Sequence, residues 1–148
     1  MIQFKPLVLT DVETIVPMMQ EFYAIDNYPI NIDVSKALLQ EFISNENLGQ
    51  SWLILSDNEI VGYIILTFIF SFEYQGKIAF LDELFLIKKM RGKGLGTKAL
   101  EFVQSESQKL SLKLIYLEVE QHNEKAQKLY LTSRFELHNR KLMKYKIK

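Results

Sequence analysis

The sequence predicts an α/β chain built on a mixed β-sheet, and three observations predict it. Apolar residues at helical spacing (Val12, Ile15, Val16, Met19, Phe22, Tyr23) give way, from Trp52 to Phe70, to short apolar runs broken by turn residues. Phe80–Ile87 then reads as a buried strand leading through a basic, glycine-rich turn, Lys88–Gly96, into a helix that opens at about Gly94. Lys113–Glu120 is a further strand after that helix, which makes the helix a crossover between parallel neighbours.

Taken in order, Ile2–Leu9 is a strand, and Thr10-Asp11-Val12-Glu13 has the form of a capping box opening a helix that ends near Ile25, before Asp26-Asn27-Tyr28-Pro29. Asp33 is the expected N-cap of a second helix, about Val34–Ser44, with Ala37, Leu38 and Phe42 on one face. Trp52–Leu55, the Asp57-Asn58 turn, Ile60–Phe70 and, past Gly76, the Phe80–Ile87 strand form an antiparallel meander. The crossover helix to about Leu110 buries Leu95, Ala99, Leu100, Phe102 and Val103. Asn123 caps a helix of Glu124 to about Thr132, and Phe135–Leu137 with Leu142–Ile147 are expected to close the chain as a hairpin. The order is β-α-α-β-β-β-α-β-α-β-β, with four helices flanking the sheet. At 148 residues, with no linker or repeat, residues 1–148 are expected to form one domain.

Composition narrows the function. Eighteen basic residues balance eighteen acidic ones, which argues against a general polyanion surface and so against nucleic acid. With no cysteine and two distant histidines, His122 and His138, thiolate chemistry is excluded and no metal site is expected. The most apolar run, Ile60–Phe72, is too short for a membrane helix, and the N-terminal residues do not read as a signal peptide, so a cytoplasmic location is expected.

Against that neutral background, Lys88, Lys89, Arg91, Lys93 and Lys98 crowd around Gly92, Gly94 and Gly96. A helix N-terminus offers unpaired N–H groups and the positive end of the helix dipole, and glycines let a ligand approach backbone closely, so this stretch is an anion socket suited to a phosphate or pyrophosphate. Walker A spacing is not met. Gly94-Leu95-Gly96-Thr97-Lys98-Ala99 satisfies G-x-G-x-x-A, the dinucleotide fingerprint, but Lys88–Gly92 separates it from the strand end where that fingerprint begins. The remaining match is Arg91-x-x-Gly94-x-Gly96 after a strand ending Leu84-Phe85-Leu86. Later in the chain, Asn123, Ala126 and Tyr130 give N-x-x-A-x-x-x-Y.

Together the two motifs resemble the acetyl-CoA-dependent N-acetyltransferase superfamily, the GNAT fold, and the likeness covers essentially the whole chain. The resemblance implies acetyl-CoA as cofactor, held by Arg91, Gly92, Lys93, Gly94, Leu95, Gly96 and Thr97, by Asn123, Ala126 and Tyr130, and by the backbone of Leu84, Phe85 and Leu86. It implies Tyr130 as the acid that protonates the departing thiolate, and a carboxylate that deprotonates the amine. Asp82 and Glu83 both stand for that base, since each lies in an otherwise apolar strand; the likeness to polyamine-type enzymes favours Asp82 beside the acceptor, while Glu83 is the commoner base. Tyr23, Asp26, Tyr28 and Asp82 make a mixture of acids and tyrosines suited to a cationic amine, so the expected substrate is a small primary amine such as a diamine, polyamine or amino-acid-like amine. A homodimer is compatible with this. Alternatives are a protein or peptide N-acetyltransferase, a non-catalytic acyl-CoA sensor and a dinucleotide binder. The pattern's glycine before Phe135 is Arg134 here, so the helix end is expected to be remodelled.

Overall fold

The apolar runs pair into a sheet of order β1-β2-β3-β4-β5 in a computed structural model that describes residues 1–148. Its strands are β1 (Ile2–Pro6), β2 (Gly49–Ser56), β3 (Glu59–Ser71), β4 (Gly76–Leu86) and β5 (Ile115–Tyr116), the first four antiparallel and β4 to β5 parallel. Helices α1 (Val12–Ile25), α2 (Ile32–Ile43), α3 (Leu95–Lys109) and α4 (Glu124–Thr132) complete the order. The chain separates into one unit of Met1–Glu118 and another of Val119–Lys148.

In the first unit the sheet is covered on both faces, because neighbouring residues of a strand point to opposite sides. Leu53 of β2, Tyr63 and Ile65 of β3 and Phe85 of β4 pack with Val12, Ile15, Val16 and Met19 of α1 and Leu39 of α2. On the other face Phe102 of α3 stacks on Phe4 at 4.1 Å between ring centroids and meets the Trp52 ring edge-on at 5.2 Å. Ala99, Leu100 and Val103 of the same helix are wholly buried. Each large side chain so removed from water contributes about 1.5–3 kcal/mol, and these two layers hold the β4–α3 junction between them. Asp57 and Asn58, both left-handed at φ 49° and 67°, make the tight β2–β3 turn that an Asp-Asn pair favours. No helix is long and apolar enough to cross a membrane.

Four local expectations are corrected. Thr10 does not cap α1: residues Leu9–Asp11 form a 3-10 turn, and the Asp11 carboxylate accepts from the Val8 N–H at 2.9 Å, two residues ahead of the expected Thr10–Glu13 pair. Asn31, not Asp33, caps α2 by accepting from the Val34 N–H at 3.1 Å, since its extended backbone aims the side chain back at the first turn. The strand expected over Lys113–Glu120 pairs only at Ile115 and Tyr116. Neither Phe135–Leu137 nor Leu142–Ile147 is a strand, and Leu137, Leu142, Tyr145 and Ile147 are exposed. Alternation fits a segment to line a sheet face, but a strand exists only against a hydrogen-bonded neighbour, and the sheet ends at β5.

In the second unit Asn123 caps α4 as expected, accepting from the Ala126 N–H at 3.1 Å. The far end of α4 is not remodelled. Arg134 takes the left-handed conformation at φ 72°, its N–H donates to Leu131 C=O at 3.2 Å, and the Phe135 N–H donates to Tyr130 C=O at 3.0 Å. That is a Schellman ending with arginine where glycine would be unstrained. Arg134→Gly is therefore expected to stabilise the protein by about 1 kcal/mol, raising Tm by roughly 2–4 °C. A Tm that stays level or falls in thermal unfolding would show that the arginine side chain compensates for its backbone.

Candidate active site

The β4–α3 junction is shaped by its glycines. After a 3-10 turn at Lys88–Met90, Gly92 (φ 74°) and Gly94 (φ 82°) are left-handed, and Gly94 serves as N-cap of α3. It brings no side chain to accept from the first turn, and that turn holds no acid, so the N–H groups at the start of α3 have no side-chain partner there and sit at the positive end of the helix. A Cβ added at Gly92 or Gly94 would meet no atom within 4 Å, so the space before the loop is open to a ligand. Of the cations, Lys89 pairs with Glu59 at 3.6 Å. Arg91 turns back on β4: its Nε donates to Leu86 C=O at 2.8 Å and its guanidinium lies 5.5 Å from the Phe85 ring. Its role in the structure is thus to brace the loop against β4. Gly92, Lys93 and Thr97 are exposed, Leu95 is buried and Gly96 is half-buried, so the loop divides into an exposed rim and a buried anchor.

The backbone of β4 changes sides within the sheet. Ile65 lies opposite Glu83 and Leu66 opposite Leu81, which leaves Asp82 as the extra residue of a β-bulge. Before it, odd-numbered residues turn toward β5: the Ala79 N–H donates to Leu114 C=O at 3.0 Å and the Lys113 N–H to Lys77 C=O at 2.9 Å. Beyond it the parity is reversed, since the Ile87 N–H donates to Val61 C=O of β3 at 2.8 Å. Leu84 and Leu86 therefore present their backbone groups on the side β5 has left, because β5 pairs no further than Tyr116, opposite Phe80. Phe85 turns its own toward β3, so the expected trio reduces to Leu84 and Leu86 on the open side.

The two acids of β4 have different surroundings. Glu83 is 8% exposed; its Oε1 accepts from the Tyr63 hydroxyl at 2.6 Å and its Oε2 from the Tyr23 hydroxyl at 2.7 Å. Burial pushes its carboxyl above the usual range, the two tyrosine donors pull it down, Asp82 adds to the rise, and burial wins. Burial and the neighbouring carboxylate raise both phenols, so Tyr23 and Tyr63 stay protonated. Asp82 is exposed, yet surroundings dense enough to strip part of its hydration raise it as well. Tyr23 is thus brought onto Glu83, whereas Asp26 and Tyr28 lie beyond the end of α1, half-buried and exposed. Tyr63 is the residue that sequence reasoning missed. The available signal was a tyrosine inside the aliphatic run Val61–Leu66, whose buried hydroxyl needs a partner.

In the second unit, Asn123 and Ala126 are joined by the cap. Tyr130, two turns along α4, meets the Phe135 ring edge-on at 5.8 Å, and burial pushes its phenol up, keeping it protonated at neutral pH.

The family model described as "Acetyltransferase (GNAT) family" matches residues 16–134, running through both units. An integron cassette protein from the mobile metagenome of Cole Harbour salt marsh superimposes with TM-score 0.88 at 31% identity, over 99% of this chain and 91% of its own. An aminoglycoside N-acetyltransferase, AAC(6')-Iy, solved with CoA, gives TM-score 0.82 at 15% identity over 99% and 95%. A predicted acetyltransferase from Clostridium acetobutylicum, solved with acetyl-CoA, gives 0.79 at 18% identity over 98% and 96%. No curated protein matches the chain. With an open glycine loop that lacks a side-chain cap before α3, a strand whose Leu84 and Leu86 backbone groups point to the side β5 has left, and a family match over most of its length, this chain belongs to the acetyltransferase (GNAT) family and is an acetyl-CoA-dependent N-acetyltransferase.

Proposed function

We propose that the chain, working as one domain in the cytoplasm, acetylates the primary amine of a small cationic molecule by direct transfer within a ternary complex, with Glu83 as the base. The single observation that carries this reading is the buried carboxylate of Glu83, held by two tyrosine hydroxyls and raised above the ordinary range. An alkyl amine with pKa near 10 is neutral in fewer than about one molecule in 10³ at pH 7, so transfer needs a group that takes its proton. A carboxyl raised by burial holds a proton better than an exposed one. Acetyl-CoA supplies the activated acetyl group. The N–H groups opening α3 suit its pyrophosphate, those of Leu84 and Leu86 suit its arm and acetyl oxygen, and Tyr130 is the residue the family motif assigns as acid for the thiolate. Tyr23, Asp26, Tyr28 and Asp82 favour a cationic acceptor, the class to which aminoglycosides, named for one structural neighbour, also belong.

A turnover panel of putrescine, spermidine, lysine and an alanine-ended peptide tests the acceptor, with a diamine or polyamine expected to give the highest kcat/KM. Glu83→Gln is expected to lose about 10²–10⁴-fold in turnover at neutral pH while keeping acetyl-CoA affinity, and Asp82→Asn to stay within about tenfold of the parent. A base acts deprotonated, so kcat should fall as pH drops through the Glu83 pKa, at a point above the ordinary value of about 4.3 because burial raises it. Full activity in Glu83→Gln would assign the proton to water, and a peptide as best acceptor would move the substrate class.

A further inference from the structure

We propose that Tyr23 is a catalytic proton relay between the acceptor amine and Glu83, while Tyr63 positions the same carboxylate from inside. The inference rests on the reading of Glu83 as base and concerns how a proton reaches it. Three polar groups stand in order of burial: Tyr23 is half-buried, Glu83 is 8% exposed and Tyr63 is wholly buried. Both carboxylate oxygens are occupied, Oε2 by the outer phenol and Oε1 by the inner one. The group that lies between solvent and the carboxylate is therefore the Tyr23 oxygen, which still has lone pairs to accept a proton while its own O–H points at Oε2. In the step, an N–H bond of the ammonium breaks and an O–H bond forms at Tyr23, while the original O–H of Tyr23 breaks and its proton bonds to Oε2. The amine ends neutral, Glu83 ends as the carboxylic acid and Tyr23 is again a phenol.

The surroundings fit a relay better than a resident tyrosinate. The groups facing Glu83 are Tyr23 from α1, Tyr63 from β3 and Asp82 beside it on β4, and no lysine, arginine or histidine is bonded to it. Burial and the adjacent carboxylate hold the Tyr23 phenol well above its usual value, so it passes a proton only as it receives one. Tyr63, at the closed end, meets no incoming proton and can only lower and orient the carboxylate.

The experiment measures kcat and KM against pH, with the fastest amine of the panel above, for the parent, Tyr23→Phe, Tyr63→Phe, Glu83→Gln and the Tyr23→Phe/Glu83→Gln double variant, each checked for native Tm. Tyr23→Phe is expected to fall to within about threefold of Glu83→Gln, the loss lying in kcat, and the double variant to be no worse than either single, because the two residues act on one proton. Tyr63→Phe is expected to move the acid limb to higher pH, since the carboxylate has lost a donor, and to lose less high-pH kcat than Tyr23→Phe. If Glu83→Gln loses activity but Tyr23→Phe stays within about threefold of the parent, the amine reaches Glu83 directly and the relay alone is overturned. A change confined to KM in Tyr23→Phe makes Tyr23 a binding contact and likewise overturns it. If Glu83→Gln works as well as the parent, the base and the relay fall together.

Discussion

Tyr130→Phe is expected to lower kcat by about 10²–10⁴-fold, or about 3–5 kcal/mol of barrier, with Tm and acetyl-CoA affinity nearly unchanged. The substitution removes one oxygen and keeps the ring, so the edge-on contact with Phe135 at 5.8 Å survives. The helix end survives as well, because the Phe135 N–H bonds to the backbone carbonyl of residue 130 and not to its side chain. What is lost is a phenol that burial holds protonated at neutral pH, the form a proton donor requires. The deficit should shrink with acetyl thioesters of more acidic thiols, because a better leaving group needs less help. Normal turnover with acetyl-CoA in single-turnover kinetics would make Tyr130 a packing residue.

The parts of the fold that were legible in the sequence are those set by local pattern. Apolar runs broken by turn residues gave the meander, the Asp57-Asn58 pair gave its first turn, and the 3.6-residue stripe of Leu95, Ala99, Leu100, Phe102 and Val103 gave the face of α3 that packs on Phe4 and Trp52. Gly94 could be read because an open, left-handed N-cap is a property of one residue. What could not be read depends on which strand lies opposite. The bulge at Asp82 follows from the register between β3 and β4, and that register both aims Glu83 at Tyr63 and Tyr23 and turns Leu84 and Leu86 away from β3. Two adjacent acids thus look equivalent in sequence and become one buried, doubly bonded carboxylate and one exposed one. The expected closing hairpin failed for the same reason, since Leu142–Ile147 alternates well without a strand to pair with.

Gly96→Val offers a change in which stability and ligand affinity should separate. Gly96 is the second residue of α3 and is not among the left-handed glycines, so valine needs no strained backbone there and is a somewhat better helix former than glycine. At Gly94, by contrast, φ of 82° would add strain to any effect on the ligand. If the N–H groups opening α3 hold the pyrophosphate, a branched side chain in that first turn would compete with it for the same space, and each charge-assisted hydrogen bond lost costs about 1.5–3 kcal/mol. Loss of two is therefore expected to weaken CoA binding by roughly 10²–10⁴-fold, with Tm of the free protein level or slightly raised. Calorimetric titration with CoA beside thermal unfolding gives both numbers, and because ligand at a hundred times its Kd stabilises by about 2.7 kcal/mol, the CoA-induced rise in Tm should vanish in the variant. A folded Gly96→Val protein with parental CoA affinity would move the pyrophosphate site away from the α3 N-terminus.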